Sequence, residues 1–472
     1  MKFLRAVIAF AVTATLFVPM SPARADLIAP QTHSWGANGQ ASLGAGFSSP
    51  PHDPVQVIGG ETYTKVATGV NYTVALDRDG RVWHWGKFFT HTAPGSVIIF
   101  TPQRFGELDN VVDIAAGESF GVALRSDGTV WTWGENDTGQ LGLGTSSRRI
   151  APTQVTSLPP ITKVFASSKH AFAIDHGGRT WAWGRNTNGQ LGDGTTITRW
   201  YPVAIIQGGI TAIAAGEFHT VALAGGTAEL FSWGRNISGE LGDGTKTQRT
   251  RPVKVLGNLY GVTAIAAGGQ HSLALLSSGH VMGWGSNASY QLNTWSVQES
   301  LSPRWMYELA DVDAIAASTQ SSFAIRNGRI YSLGNATYCM LGSCAITQQQ
   351  MSPFLVPGLT GVQAISASPL GVFVLRDAAV SAGIVAERTD VRLNDSVLVT
   401  NNTAEERTFT VSGLPDGVKA TVDPAVVPSK GDTKITLTGD SRTEGAVPIR
   451  VDASVEKDPD RTESLSLLLT LS

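Results

Sequence analysis

The strongest constraint on this 472-residue chain is a marker that returns about every fifty residues. A glycine preceded by Trp, or once by Leu, stands at Gly36, Gly86, Gly134, Gly184, Gly234, Gly285 and Gly334, in steps of 50, 48, 50, 50, 51 and 49. A proline keeps the same beat at Pro54, Pro102, Pro152, Pro202, Pro252, Pro303 and Pro353. A third marker is the run IAAGEFHTVAL (213–223), echoed at 114–124 and 265–275 and more weakly before Leu76, Ile174, Ile325 and Leu375. Units that repeat in this way bury their apolar faces against their neighbours, so the fold is an array of supersecondary copies.

Each copy reads as β. Arg81–Trp85 follows Asp79-Gly80, which predicts a two-residue hairpin turn, and the arrangement returns at Asp127-Gly128 and Gly177-Gly178. Between each Trp-Gly and the next Pro lies a loop such as NTNGQLGDGT (186–195), whose glycines suit tight turns. No window in the repeats sustains a helical period. Four short strands with loops fill about 50 residues, one propeller blade. The last copy ends near Arg376 without a Trp-Gly strand, whereas the first Trp-Gly follows only a short mature segment. The expectation is therefore an all-β, seven-bladed β-propeller closed by the N-terminal strand around Thr32–Trp35, the alternative being an open solenoid with capping repeats.

IAAGGQHSLAL (265–275), IAAGEFHTVAL (213–223) and WGRNTNGQLGDGT (183–195) resemble the regulator-of-chromosome-condensation repeat family over about residues 32–378. The resemblance implies a seven-bladed propeller. It spans several functions: nucleotide exchange, histone or other protein recognition, and, among secreted bacterial relatives, inhibition of β-lactamases. Fold analogy does not choose among these.

The N-terminus does bear on that choice. Lys2 and Arg5 precede an apolar run, Ala6 to Val18, and Ala23-Arg24-Ala25 ends it, the pattern of a secretory leader over 1–25. That run is short for a membrane span, and no other stretch suggests one. Cleavage would leave an exported chain from Asp26, in the periplasm or medium, and disfavours intracellular guanine-nucleotide exchange. Loss of three basic residues moves the net charge from −3 to −6, without the basic footprint of a nucleic-acid binder. Cys339 and Cys344 are the two cysteines; an oxidising compartment permits a disulfide closing six residues, free thiols being the alternative.

After Arg376 the period stops. Residues 380–472 contain no Trp and alternate, as in Val447-Ile449-Val451 and Leu465-Leu467-Leu469-Leu471. This reads as a small antiparallel β-sandwich similar to immunoglobulin-like domains, serving as a spacer or in adhesion. The domain plan is thus leader 1–25, propeller 26–379 and sandwich 380–472.

Catalytic motifs are scarce. Gly117–Gly121 matches G-x-S-x-G, but as one copy of a β repeat it lacks the strand–turn–helix that a nucleophile elbow needs. GDGT at 192–195 and 242–245 reads as turns, since no GK[ST] or helix follows. The aligned position Tyr72, Phe120, His170, His219, His271, Ser321 and Gly371 reads as structural, because blades hold equivalent atoms too far apart for zinc. No catalytic residue, metal or cofactor is nominated.

The repeats do nominate contacts, since a residue that departs from its copies is not required by the blade. Tyr290 replaces Gly139, Gly189 and Gly239; Trp295 replaces Gly144 and Gly194; Tyr338 stands where Thr138, Asn188 and Ser238 do. Phe88 and Phe89 replace a polar loop start, and Trp305 replaces Lys254 or Ala204. The first five are expected in loops on one face of the disk, as anchors for a protein partner. The reading is a non-enzymatic recognition scaffold, monomeric as it stands. Its alternatives are an enzyme working at the central channel, marked by convergent carboxylates or His with perturbed pKa, and a surface adhesion protein.

Overall fold

The computed structural model describes residues 31–59, 62–89, 96–106, 108–206, 208–225, 229–257, 259–294 and 297–376, and in the C-terminal part 384–386, 390–392, 396–401, 407–414, 417–427, 432–439, 445–455 and 458–471. Two compact units divide the chain, one running to Arg376 and one beginning at Asp377.

The first unit is seven four-stranded antiparallel sheets, a seven-bladed propeller. Six blades are continuous in sequence: 63–104, 111–154, 161–206, 210–254, 262–305 and 314–355. The seventh joins the two ends: Val362–Ala367 and Gly371–Arg376 supply its inner strands, Gln31–Asn38 and Ser49–Gln56 its outer ones. Gln31 pairs Arg376 and Gly36 pairs Gly371, so the closure expected from the sequence is present.

The three markers each have a job. The IAAG element is the innermost strand, nearest the axis. The Trp-Gly strand is third. Its glycine must stay bare: Gly184 has φ +96°, and a Cβ there would lie 2.5 Å from the Lys169 carbonyl oxygen and 2.8 Å from His170 Cα. The preceding Trp is fully buried at Trp35, Trp85, Trp133, Trp183, Trp233 and Trp284, where truncation costs about 3–5 kcal/mol. The proline lies in every outer strand, beside a break in register such as Ala182–Val203 to Gly184–Arg199. Proline donates no ladder bond, so an edge strand with a bulge accommodates it and blunts the edge against further pairing.

Two expectations need correction. The hairpin turns at Asp79-Gly80, Asp127-Gly128 and Gly177-Gly178 contain three residues, not two. Gly80 N donates to Asp77 O (3.3 Å) and Asp77 N to Arg81 O (3.1 Å), a turn followed by Gly80 at φ +74°. Asp77 Oδ1 also accepts from Asp79 N and Arg81 N, which favours the longer turn. The loops after Trp-Gly, moreover, do not stand up from the face; they fold back into the seams between blades. Asn186 is fully buried, accepts from Leu191 N (3.0 Å) and donates to Thr195 O and Ile197 O (both 3.1 Å). Asn38, Asn136, Asn236 and Asn287 hold the leucine five residues on in the same way. Each knot presents a carbonyl to the next blade: Trp183 Nε1 donates to Gln140 O (2.9 Å), Trp233 Nε1 to Gln190 O (2.8 Å) and Trp284 Nε1 to Glu240 O (2.9 Å).

The second unit holds two sheets. One contains Ile384–Ala386, Ser396–Asn401, Asp432–Gly439 and Val418–Asp423; the other contains Asp390–Arg392, Asp458–Leu471, Gly445–Val455, Arg407–Ser412 and Val426–Val427. Phe409, Val418, Ile435, Leu437 and Val451 are buried within it. Its pairing is not wholly antiparallel as expected, because the edge strand Asp390–Arg392 runs parallel to Asp458–Leu471.

Candidate functional site

The innermost strands end together in seven turns around the axis, and between them lies a cavity of about 300 Å³. Backbone bonds link these turns across blades: Val70 N to Glu118 O (3.1 Å), Glu118 N to Ser168 O (2.7 Å), Glu217 N to Gly268 O (3.3 Å) and Gly269 N to Thr319 O (3.1 Å). The walls are mostly small residues such as Ala116, Ala267, Ala317 and Ala367, with Glu118 and Glu217 on the turns. Burial pushes the Glu217 carboxyl above its usual range, against the pull of Arg235 and with a further push from Glu118. Burial likewise raises Glu135, against Lys169.

Nearby cations are engaged elsewhere. Lys169 Nζ donates to Asp137 Oδ2 (2.6 Å), and Arg235 donates to Glu240 Oε1 (3.1 Å) and Gly269 O (2.8 Å). The guanidinium carbons of Arg185 and Arg235 lie 5.1 and 4.3 Å from the centre of the Phe218 ring. Phe218 is thus held by two cations beside the mouth.

The aligned histidines stay away from this cavity. His170, His219 and His271 are fully buried inside blades, and burial depresses each pKa to about 3. His219 Nε2 meets Ser272 Oγ (2.9 Å) and His271 Nε2 meets Ser322 Oγ (3.0 Å), each reaching the next blade. His219 and His271 are pins between blades. Among the described residues, no group of three or more His, Cys, Asp or Glu is arranged to hold a metal, and no helix is long and apolar enough to cross a membrane.

The nominated aromatics do not form one rim. Phe88 and Phe89 lie within the strand Val82–Phe89, paired with Val97 and Ser96, and not in a loop. Blade one lacks the Asn that starts the loop knot, so its strand runs on. Tyr290 is half-buried at φ +66°, in a seam loop. Tyr338 is 51% exposed, and Trp295 lies outside the described residues. Trp305 is 44% exposed, but at the far end of its blade, opposite Met282. Met282 occupies the position of Trp83, Trp131, Trp181 and Phe231, so blade five has moved its aromatic across the strand pair. Cys339 and Cys344 are bonded to each other.

Sequence reasoning passed over Tyr260 and Tyr307, 80% and 81% exposed. Both lie in links from an outer strand to the next inner strand, on the face opposite the cavity mouth. One hairpin turn bonds to both links and meets Trp305. Ser277 N donates to Gly261 O (2.7 Å), Val312 N to Gly279 O (2.9 Å), and the His280 ring meets Trp305 edge-on at 5.4 Å. Comparing copies would have exposed the cavity residues too: Glu118 and Glu217 stand where other blades have Val70, Ser168, Gly269, Thr319 and Pro369.

Comparison with known proteins agrees with this architecture. The family model described as RCC1-like domain matches residues 30–306 and 90–374. RCC1 domain-containing protein RUG3, mitochondrial, of Arabidopsis thaliana is 37% identical over 102 residues, 21% of this chain and 23% of that protein. This chain therefore spans under a quarter of that relative's length. Prp20p of Saccharomyces cerevisiae, in a study of its binding to Gsp1p and histones, superposes with TM-score 0.67 at 21% identity, covering 74% of this chain and 92% of that one. Human WBSCR16 superposes with TM-score 0.64 at 19% identity, covering 75% and 100%. With a seven-bladed ring, seven copies of its markers and a family match over most of the propeller, the chain belongs to the RCC1-like domain family.

Proposed function

We propose that this protein is an exported, non-enzymatic scaffold that binds a protein partner. The observation that carries the reading is the exposure of Tyr260, Trp305 and Tyr307 on one face, on the segments that border the 277–280 turn. Tyr and Trp are enriched among interface anchors, because they bring large contact area at small entropic cost. The blade scaffold does not require Tyr260 or Tyr307, since each sits in a connection and exposes most of its surface. Prp20p, a propeller of the same fold, is described with protein partners, which supports the same class of use. Tyr338 adds a single exposed contact on the cavity face. The leader pattern of 1–25 supports export, which takes the chain away from the guanine nucleotides that exchange requires. Residues 380–472, read as an immunoglobulin-like module, act as a spacer.

The test is comparative capture. Immobilised 26–472 and its Tyr260→Ser/Trp305→Ala/Tyr307→Ser variant are exposed to native periplasmic and extracellular fractions. A partner held by the native protein should bind the variant at least ~30-fold more weakly, the equivalent of about 2 kcal/mol. Equal retention by both proteins removes this face from the interface. N-terminal sequencing of the exported protein is expected to begin at Asp26; an intact Met1 there would overturn leader cleavage.

A further inference from the structure

Among the described residues, five of the loops after Trp-Gly are held by a buried amide, from Asn38, Asn136, Asn186, Asn236 and Asn287. The loop of blade six has Ala336 at that place and is held by the bond between Cys339 and Cys344. An amide keeps its hydrogen bonds whatever thiols are in solution, whereas a disulfide exchanges with them. The backbone of this loop also runs against the preference of its residues. Cys339 has φ +57° where Gly139, Gly189 and Gly239 have +72°, +71° and +79°. Tyr338 before it has φ +59° and ψ +30°, while its copies Thr138, Asn188 and Ser238 stay out of the left-handed region. A side chain with a Cβ resists that region, so two in succession depend on a tether.

Access and position complete the device. Cys344 is exposed and Cys339 half-buried. Exchange begins with a thiolate attacking one sulfur, and the exposed cysteine is the one within reach. Cys344 also rests on the outer strand Ser49–Gln56: its N donates to Asp53 Oδ1, and its Sγ lies 3.4 Å from Pro51 O. Between the two cysteines, Met340 O accepts from Trp35 Nε1 (2.9 Å). The disulfide therefore brackets the segment by which blade six grips both N-terminal strands of the closing blade. Those strands keep a second attachment, the ladder from Gln31–Arg376 to Gly36–Gly371, so release of the loop opens one seam and leaves the closing sheet intact.

We propose that the Cys339–Cys344 bond is a redox latch on the closing seam, opened in the folded ring by a dithiol and closed again by a disulfide oxidant. One thiolate of the dithiol attacks Cys344 Sγ; the Cys339–Cys344 bond breaks, and Cys339 leaves as a thiolate that takes up a proton. The second thiol then displaces Cys344 from the mixed disulfide. Two electrons and two protons reach the protein, and the dithiol departs as a cyclic disulfide. Without the tether, Tyr338 and Cys339 relax out of the left-handed region and the loop releases Trp35 and Asp53. Tyr338, 51% exposed, moves with it, so the redox state is displayed on the cavity face. The latch belongs to the ring and does not depend on a partner at Tyr260, Trp305 and Tyr307.

The probe is dithiothreitol, added to the full chain at neutral pH without denaturant. Alkylation and mass spectrometry count the thiols, and circular dichroism follows the fold. Two thiols are expected to appear while the β signal is unchanged. Amide exchange should then rise at least ~10-fold at 31–38 and 49–56, yet stay within about twofold in blade three at 161–206. Removing the probe and adding oxidised glutathione should restore both the bond and the slow exchange. Cys339→Ser/Cys344→Ser should exchange fast at the seam with or without the probe. Four results overturn the proposal: a bond that resists the probe while the ring is folded, reduction without faster exchange at the seam, equal acceleration in blade three, or a change that oxidised glutathione does not reverse. Should the double variant not fold, the cycle of reduction and reoxidation on the native chain decides the question alone.

Discussion

Blades three and six solve the same problem with different chemistry. In blade three the loop after Trp-Gly is held by Asn186, whose amide bonds Leu191 N, Thr195 O and Ile197 O. Blade six has Ala336 at that place and cannot tie the knot. Instead, the positions of Gly189 and Gly194 become Cys339 and Cys344, which are bonded to each other. The loop still does its work, because Trp35 Nε1 of the closing blade donates to Met340 O (2.9 Å) as Trp233 does to Gln190 O. Cys344 also rests on the N-terminal outer strand, its N bonded to Asp53 and its Sγ 3.4 Å from Pro51 O. A buried amide and a disulfide are therefore interchangeable here, and the covalent version sits at the seam where the ring closes.

Acid should act on the ring as a whole and produce the largest effect. Burial depresses His170, His219 and His271, and His33 in the closing blade, to about 3 from 6.5. Above pH 6.5 all are neutral in folded and unfolded chains, so their stability contribution is complete. As pH falls from 6.5 toward 3, the unfolded chain gains protons that the folded one refuses, costing about 1.4 kcal/mol per pH unit for each ring. Denaturant midpoints measured from pH 7 to pH 4 should fall steeply; a flat profile would show that these rings are solvated.

Asn186→Ala should come next, at about 3 kcal/mol, since it orphans Leu191 N and the two carbonyls in a dry seam. A loss below 1 kcal/mol would mean that water replaces the amide. Cys339→Ser/Cys344→Ser, or reduction, should cost about 2 kcal/mol for a six-residue loop. The discriminating readout is hydrogen exchange, which should rise at the closing seam around 31–56 and not in blade three. Restoring the polar device with Ala336→Asn in the cysteine-free chain should recover about 1 kcal/mol. No recovery would mean that the two solutions need different loop backbones.

Much of this was legible. Seven copies of three markers fixed the number of blades, and the unmatched strands at the two ends predicted the closure. What stayed hidden depended on three-dimensional context. The Asp-Gly pair shows only part of its turn: Arg78-Asp79-Gly80 closes in three residues, and the same length recurs where Arg125 or Leu276 stands in place of Asp77. Loop residues rich in Gly, Asn and Thr read as surface, yet Asn186, Gln190 and Leu191 are fully buried, because polar groups that bond one another can line a seam. Phe88 and Phe89 departed from a loop that blade one does not form. Trp305 departed from Lys254, but its meaning lay in the strand opposite, at Met282. Glu118 and Glu217 were visible as departures in the turns, where a single carboxylate among small residues is easily mistaken for drift.

The closing blade also sets a timetable. Gln31 pairs Arg376 and Gly36 pairs Gly371, so about 340 residues of chain separate the partners. A ribosome adding roughly 5–20 residues per second delivers the second strand roughly 20–70 s after the first. Through that interval the N-terminal strands are made but have no sheet to join, while six complete blades can already stack. Chain order thus makes the closing pair the last to be complete, and the strand that waits longest is the one most in need of protection from mispairing.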